Sequence, residues 1–441
     1  MIATETDQKN KVWKSWNENI THSYSDLVQV KSEKQLVKTI LDAQKVRIFG
    51  AKTASSDISA GAETLIDISA YNELVRIDQE NKRITVQSGI ILSDLLDIIH
   101  NQGWCLPCLP DINIVTLGGA ISTGTHGTAK DGKLLSSYMV GCRLVKANGE
   151  VLDITERDSD LLDAVRVSVG VLGVFSEITL QCEDDFTLEV HEGPMKDDLW
   201  LSKLDEMRAK NDFLRILFIP HAHTSYVIQG NKIDPQKEVQ ETKARPFLSK
   251  RRAWSKTLYS VTHKYPRFTV LANKILSKLF FRDTKVVKGN LYDATVTKKR
   301  GSTLELAEWT VPYSKFQELF QELRVMLNDP STKTFIHIPM DVRFIKADES
   351  WLSYAYGEDI VTVGCVCRNT AEADSYYAFH TVEELFLKYG GRPHWAKRFK
   401  VKGKELGKLY PKWDSFLDLR QKMDPNEKFL NDYLKSVFTN S

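Results

Sequence analysis

Leu117-Gly-Gly-Ala-Ile-Ser-Thr-Gly-Thr-His-Gly-Thr128 packs four glycines, four hydroxyl side chains and one histidine into twelve residues. With so little side-chain bulk, backbone N–H groups can approach a ligand closely, and the hydroxyls can donate to phosphate or carbonyl oxygens. The stretch reads as a cradle for a phosphate-bearing cofactor. Its candidate contacts are Gly118, Gly119, Ser122, Thr123, Gly124, Thr125, His126, Gly127 and Thr128. Two commoner cradles do not fit. Gly119 to Gly124 has phosphate-loop spacing, but Thr125-His126 follows where Lys-Ser/Thr is required. Gly127 to Lys133 repeats the spacing, but Leu134 stands where a magnesium-holding hydroxyl belongs.

The segments around the cradle mix short helices and strands. Strands are expected at Val28–Val30, Val46–Phe49, Thr64–Ile68, Leu74–Asp78, Arg83–Ser88, Tyr138–Lys146, Val151–Ile154 and Val174–Cys182. Helices are expected at Ser32–Gln44, with Ser32 as N-cap, at Ile91–Gln102 and at Ser159–Val167. Asn148-Gly149 signals a hairpin. There is no regular βαβαβ rhythm, which counts against a doubly wound dinucleotide fold. After Asp185 the composition shifts toward antiparallel-type strands, such as Leu214–Ile219 and Thr334–Ile338. Later helices are expected at Tyr313–Met326, Ala371–Leu387 and Pro425–Lys435. Residues 243–288 are basic and repeatedly aromatic, with an amphipathic helix pair expected over Leu258–Phe281. This segment is either a solvated excursion or a contact for a peripheral partner or membrane.

The 441 residues carry a net charge of +2, 42% apolar and 27% charged residues. That balance is ordinary for a globular protein and gives no basis for nucleic-acid binding. No apolar run reaches the roughly 18 residues of a membrane span. The polar N-terminus resembles neither a signal nor a transit peptide, so a cytoplasmic setting is expected. Cys105-Leu-Pro-Cys108 and Cys365-Val-Cys367 lack the partners of a zinc or disulfide framework and read as ordinary thiols. His221-Ala-His223 lacks a third ligand, and no metal is expected.

Thr116–Thr128 resembles the flavin-contacting segment of vanillyl-alcohol-oxidase-type flavoproteins, most closely the aldonolactone oxidase and dehydrogenase family. Gly50-Ala-Lys-Thr-Ala-Ser-Ser-Asp-Ile58 resembles that family's pyrophosphate loop. Gly170-Val-Leu-Gly-Val-Phe-Ser-Glu-Ile-Thr-Leu180 resembles its later flavin-contacting strand, and Gly391-Arg-Pro-His-Trp-Ala-Lys397 its C-terminal signature. The resemblance implies an α+β fold. An FAD-binding domain would span residues 1–183, an antiparallel-sheet substrate domain 184–420, and a C-terminal segment 421–441 would pack back on the first.

The resemblance also implies FAD as cofactor, a small-molecule substrate, and hydride transfer from a CH–OH carbon of a sugar lactone or polyol to flavin N5. Molecular oxygen or another acceptor would close the cycle. It assigns Gly50, Ala51, Lys52, Thr53, Ala54, Ser55, Pro110, Gly173 and Ile178 to the cofactor, beside the cradle residues. Relatives often carry a flavin-linking histidine where Thr53 stands, so noncovalent FAD is expected. Lys397 would supply positive charge near flavin N1, and His394 would orient substrate or flavin. On the strand Ile338–Phe344, Asp341 and Arg343 lie two apart and share a face. The family has Glu-x-Arg there; Arg343 would hold substrate oxygens, and the shorter Asp341 would orient it. Glu308 lies on another active-site edge. Pro110 falls at the oxygen-access position, where proline resembles the oxidases. Two alternatives stay open: a specialised biosynthetic substrate, and a flavin-binding subunit without turnover.

Overall fold

A computed structural model describes residues 11–242, 258, 261–262, 264–291, 304–336, 339–368 and 373–439. Near the N-terminus, Asp26–Gln29, Thr64–Asp67 and Val46–Phe49 form a parallel three-stranded sheet in that order. The helix Glu33–Asp42 makes the crossover. The Ser32 side chain accepts from the Gln35 N–H and caps it, and Leu36 and Ile40 bury its inner face.

Five antiparallel strands follow, in the order Val151–Thr155, Met139–Val145, Val174–Gln181, Arg83–Gln87 and Leu74–Asp78. Asn148-Gly149 closes the first hairpin as expected, with Gly149 at φ +81°. The glycine-rich stretch is not loop throughout. Leu117–Ser122 is a short helix whose Leu117, Ala120 and Ile121 are buried.

Among the described residues, the largest sheet has seven antiparallel strands. Their order is Lys285–Asn290, Thr187–Lys196, Thr224–Ile233, Phe213–Phe218, Met340–Ile345, Ile360–Arg368 and Leu304–Pro312. The long helices Tyr313–Asn328 and Ala373–Lys388 pack on it. Trp200, Phe218, Phe316 and Phe320 interlock under the first, with ring centroids 4.9–6.5 Å apart. Thr128 ties this sheet to the glycine-rich stretch, its hydroxyl donating to Leu214 O at 2.7 Å.

The chain's end returns to the first sheet. Val46 N donates to Lys428 O at 2.9 Å, and Asn431 Nδ2 to Asp57 O at 2.7 Å. Two expectations shift here. The helix expected at Pro425–Lys435 is instead Asp432–Phe438, capped by the Asn431 side chain, and a helix at Trp413–Met423 precedes it. Asp424 caps a turn: its two oxygens accept from Lys428 N and Phe429 N, each at 2.8 Å. The strand expected at Thr334–Ile338 begins later, at Met340, and residues 337–338 lie outside the described residues. Of the expected helix pair over Leu258–Phe281, the described residues 258, 261–262 and 264 are helical, and a turn at Pro266–Phe268 leads into the helix Thr269–Phe280. The rest lies partly outside the described residues.

Candidate active site

A cavity of about 300 Å³ opens between the glycine-rich stretch and one face of the large sheet. Strand register builds its floor. Leu217, Asp341, Gly364 and Glu308 stand directly opposite one another across four strands. The next row begins Arg215, Arg343 and Thr362. Directly paired residues project to the same face, so two carboxylates and two guanidiniums from distant sequence meet there.

Asp341 is held between both arginines. Arg215 grips it bidentately, Nε to Oδ1 at 2.8 Å and Nη2 to Oδ2 at 2.6 Å, while Arg343 Nε reaches Oδ2 at 2.9 Å. Asp111 adds a second acid, 3.2 Å from Arg215 and 3.3 Å from Arg343. Burial pushes the Asp341 carboxyl up, but the charges of Arg215 and Arg343 outweigh it and hold it below its usual value. For Arg343, burial works against the charge, yet the two aspartates keep it firmly protonated.

Glu308 pairs with the glycine-rich stretch. Its Oε1 lies 2.9 Å from His126 Nε2, while His126 Nδ1 lies 3.0 Å from Gly127 O. Both ring nitrogens face acceptors, so a proton sits within the His126–Glu308 contact. Burial works to raise the Glu308 carboxyl, and His126 overcomes it, holding it well below the ordinary range. The ligand atoms of His126, Glu308 and His394 lie within 4.8 Å of one another.

The segment 391–397 is a turn. Pro393 bridges to Trp309, His394 N donates to Glu308 O at 3.0 Å, and Lys397 N donates to His394 O at 2.9 Å. Trp395 is the buried anchor. Its indole N–H donates to Leu352 O at 2.7 Å, and its ring stacks on Tyr410. With Trp395 buried, His394 and Lys397 on either side of it line the cavity. The Ala396 N–H donates to His394 Nδ1 at 3.1 Å, which leaves the ring proton on Nε2. Burial lowers the His394 pKa to about 3, so the ring is neutral.

A second cavity, of about 90 Å³, shares Gly50, Ile58, Thr116 and Gly119 with the first. Gly50 sits where two loops cross; a Cβ there would lie 2.2 Å from Thr116 Oγ1. Gly173 at φ +155° would put a Cβ 2.8 Å from Val145 O. Of the residues expected to hold a cofactor, Gly50, Ala51, Lys52, Thr53, Ala54, Pro110, Gly119, Thr123, Thr125, His126 and Lys397 line the larger cavity. Gly118, Ser122 and Gly173 line the smaller.

Five others line neither. Ser55 donates its N–H to Ala396 O at 2.8 Å, and its buried hydroxyl has no partner. Gly124 O accepts from the Tyr354 hydroxyl. Gly127 packs on the backbone at Leu109, Thr128 bonds to the large sheet, and Ile178 is fully buried within its own sheet. Arg215, Asp111 and Tyr354 were not singled out from sequence. The one signal was an arginine inside the apolar run Phe213–Phe218.

Residues 178–437 match the family model described as D-arabinono-1,4-lactone oxidase. The chain belongs to this family. Residues 25–155 match the FAD binding domain. L-gulonolactone oxidase of Mus musculus is 30% identical over 410 residues, 90% of each chain. L-gulono-1,4-lactone dehydrogenase of Mycobacterium tuberculosis is 30% identical over 431 residues, 97% of this chain and 99% of the relative. In fold, the chain is similar to the solved cholesterol oxidase of B. sterolicum, with a TM-score of 0.78 at 13% identity over 97% of each chain. The family member described here is therefore an FAD-dependent oxidoreductase of the aldonolactone oxidase and dehydrogenase class, and its α+β architecture is of the vanillyl-alcohol-oxidase type.

The residues present fit FAD. The two adjoining cavities share a wall of glycine backbone and hydroxyls, with Gly50 and Gly119 lining both, Gly173 the smaller, and Ser59, Thr116 and Thr123 supplying hydroxyls to both. Among the described residues, no helix is long and apolar enough to cross a membrane.

Proposed function

We propose that this family member oxidises a CH–OH group of a sugar-derived lactone or polyol in the 300 Å³ cavity, with FAD held noncovalently. The observation that carries the reading is the cross-strand floor, which sets Arg343 and Glu308 opposite the glycine-rich stretch and the Lys397 turn. Bound FAD supplies the acceptor for the hydride.

The chain's own residues do the rest. Arg343, fixed by Asp341, donates to substrate oxygens and opposes the negative charge that builds on them. Asp341 has both oxygens engaged by arginines, so it positions Arg343 rather than touching substrate. Neutral His394 offers an Nε2–H donor to an oxygen in the cavity. Glu308 accepts a hydrogen bond from the reacting hydroxyl, His126 holds its carboxylate in place, and the released proton leaves through the cavity to water. Lys397 adds positive charge from the turn.

Residues 1–183 with 421–441 serve as the FAD domain and 184–420 as the substrate domain. Thr53 stands where relatives often tether the flavin, and the surrounding 50–55 segment holds no histidine. Oxygen or another acceptor reoxidises the flavin, in a cytoplasmic setting, and the basic segment 243–288 makes a peripheral contact.

Anaerobic mixing with a panel of aldonolactones and alditols tests this. Loss of the visible flavin absorbance with at least one is expected; an unbleached flavin across the panel counts against the substrate class. Release of yellow flavin on acid precipitation tests the noncovalent assignment, and peroxide production identifies oxygen as acceptor.

A further inference from the structure

The helix Thr269–Phe280 is apolar on two sides. Ala272, Leu276 and Phe280 are buried, the last two packing with Ile219, Tyr226 and Phe281. Outward it presents Phe268 at 53% exposure, Leu271 at 55%, Ile275 at 37% and Leu279 at 44%, with Val261 and Tyr265 exposed ahead of it. Spacings of three and four residues line these up as one stripe. A single exposed apolar side chain needs no explanation, but a contiguous row marks an interaction surface.

A basic row runs beside it. Lys264, Arg267, Lys274, Lys278 and Arg282 are all exposed. At 100° per residue, Lys274 and Lys278 fall on the flank of the stripe away from the buried side, and Lys264, Arg267 and Arg282 adjoin the two ends of the helix. From Lys243 to Arg282 the sequence holds eleven Lys and Arg and no Asp or Glu.

The geometry points to this stripe as a docking surface for an anionic lipid bilayer. The apolar row enters the boundary between headgroups and acyl chains, and the basic row meets lipid phosphates. A second copy is disfavoured because an antiparallel two-fold contact through the stripe would bring the two basic rows together, and a parallel one would leave both rows without an anionic partner. This inference does not depend on the substrate assignment.

Cosedimentation of the full FAD-loaded chain with vesicles tests it. Vesicles of equimolar phosphatidylcholine and phosphatidylglycerol should carry the protein down at low salt, and phosphatidylcholine alone should not. Raising the salt should release it. The variant L271S/I275S/L279S should stay in the supernatant. K274E/K278E should partition about tenfold or more weakly. Circular dichroism and bound flavin should match wild type; if the serine variant fails that check, the charge variant carries the test, because both its positions are exposed. Wild type left in the supernatant with the mixed vesicles overturns the proposal, as does a correctly folded variant that binds like wild type. So does a self-association that the serine variant abolishes.

Discussion

Glu308 and Asp341 stand in one row across the large sheet, each paired with Gly364 on the strand between them. A Cβ at Gly364 would lie 3.6 Å from Asp341 Cβ and 4.0 Å from Glu308 Cδ. The missing side chain leaves a gap in the cavity floor between Glu308 and the arginine clamp.

Filling that gap should block substrate without harming the fold. In Gly364→Val the Cβ makes ordinary contacts, and a β-branched residue suits a strand. Its methyl groups then occupy the gap. We expect kcat/KM to fall about 100-fold with the unfolding temperature unchanged or raised. Steady-state kinetics beside thermal unfolding would show it, and undiminished turnover would place the substrate elsewhere.

The two arginines should separate by what they damage. In Arg343→Ala, Asp341 keeps its bidentate partner Arg215, so the protein should fold while turnover falls roughly 100- to 1000-fold. Arg215→Ala removes the bidentate grip on a buried carboxylate and should cost about 3–5 kcal/mol of stability. Urea unfolding together with turnover would distinguish the pair; equal stability loss in both would contradict separate roles.

That clamp shows how far the sequence could be read. Asp341 and Arg343 were visible because a strand's period of two is local. Their partners were not: Arg215 joins them through cross-strand register between segments more than 100 residues apart, which leaves no mark in a short window, and Asp111 arrives from a loop. Motif chemistry brought His394, Lys397 and the glycine-rich stretch to the cavity, but not the turn that presents them, which Trp395 fixes by burial. The C-terminal helix was misplaced for a related reason. Asp424 and Asn431 are both good caps, and only tertiary contacts decide that Asp424 caps a turn and Asn431 the helix.

Acid should destabilise the protein through His394. Its pKa is lowered by burial from 6.5 to about 3 in the folded state. Between those values the unfolded chain binds the proton and the folded chain does not. The stability from a neutral His394 is therefore complete above about pH 6.5 and drains away as pH falls toward 3. His221, lowered by burial to about 4, adds to the same window. His394→Gln should flatten the stability–pH slope by up to about 1.4 kcal/mol per pH unit in this range. Urea unfolding at several pH values measures that slope, and an unchanged slope would mean the ring is not buried neutral.

Arg47 should couple the chain's end to the cofactor cleft. It is buried, and its guanidinium donates to Ile58 O and Phe429 O at 2.8 Å, Val169 O at 3.1 Å and Gly170 O at 3.2 Å. Ile58, Val169 and Gly170 line the smaller cavity, while Phe429 belongs to the returning C-terminal segment. Arg47→Met strands those carbonyls and should cost about 3–5 kcal/mol, comparable to breaking a buried ionic network. Arg47→Lys, with three donors on one nitrogen, cannot span four separated carbonyls and should fall between. If the hub shapes the cleft, FAD should dissociate more readily in the same order, which flavin fluorescence would follow. Stability lost with FAD affinity intact would leave Arg47 as a strut of the fold alone.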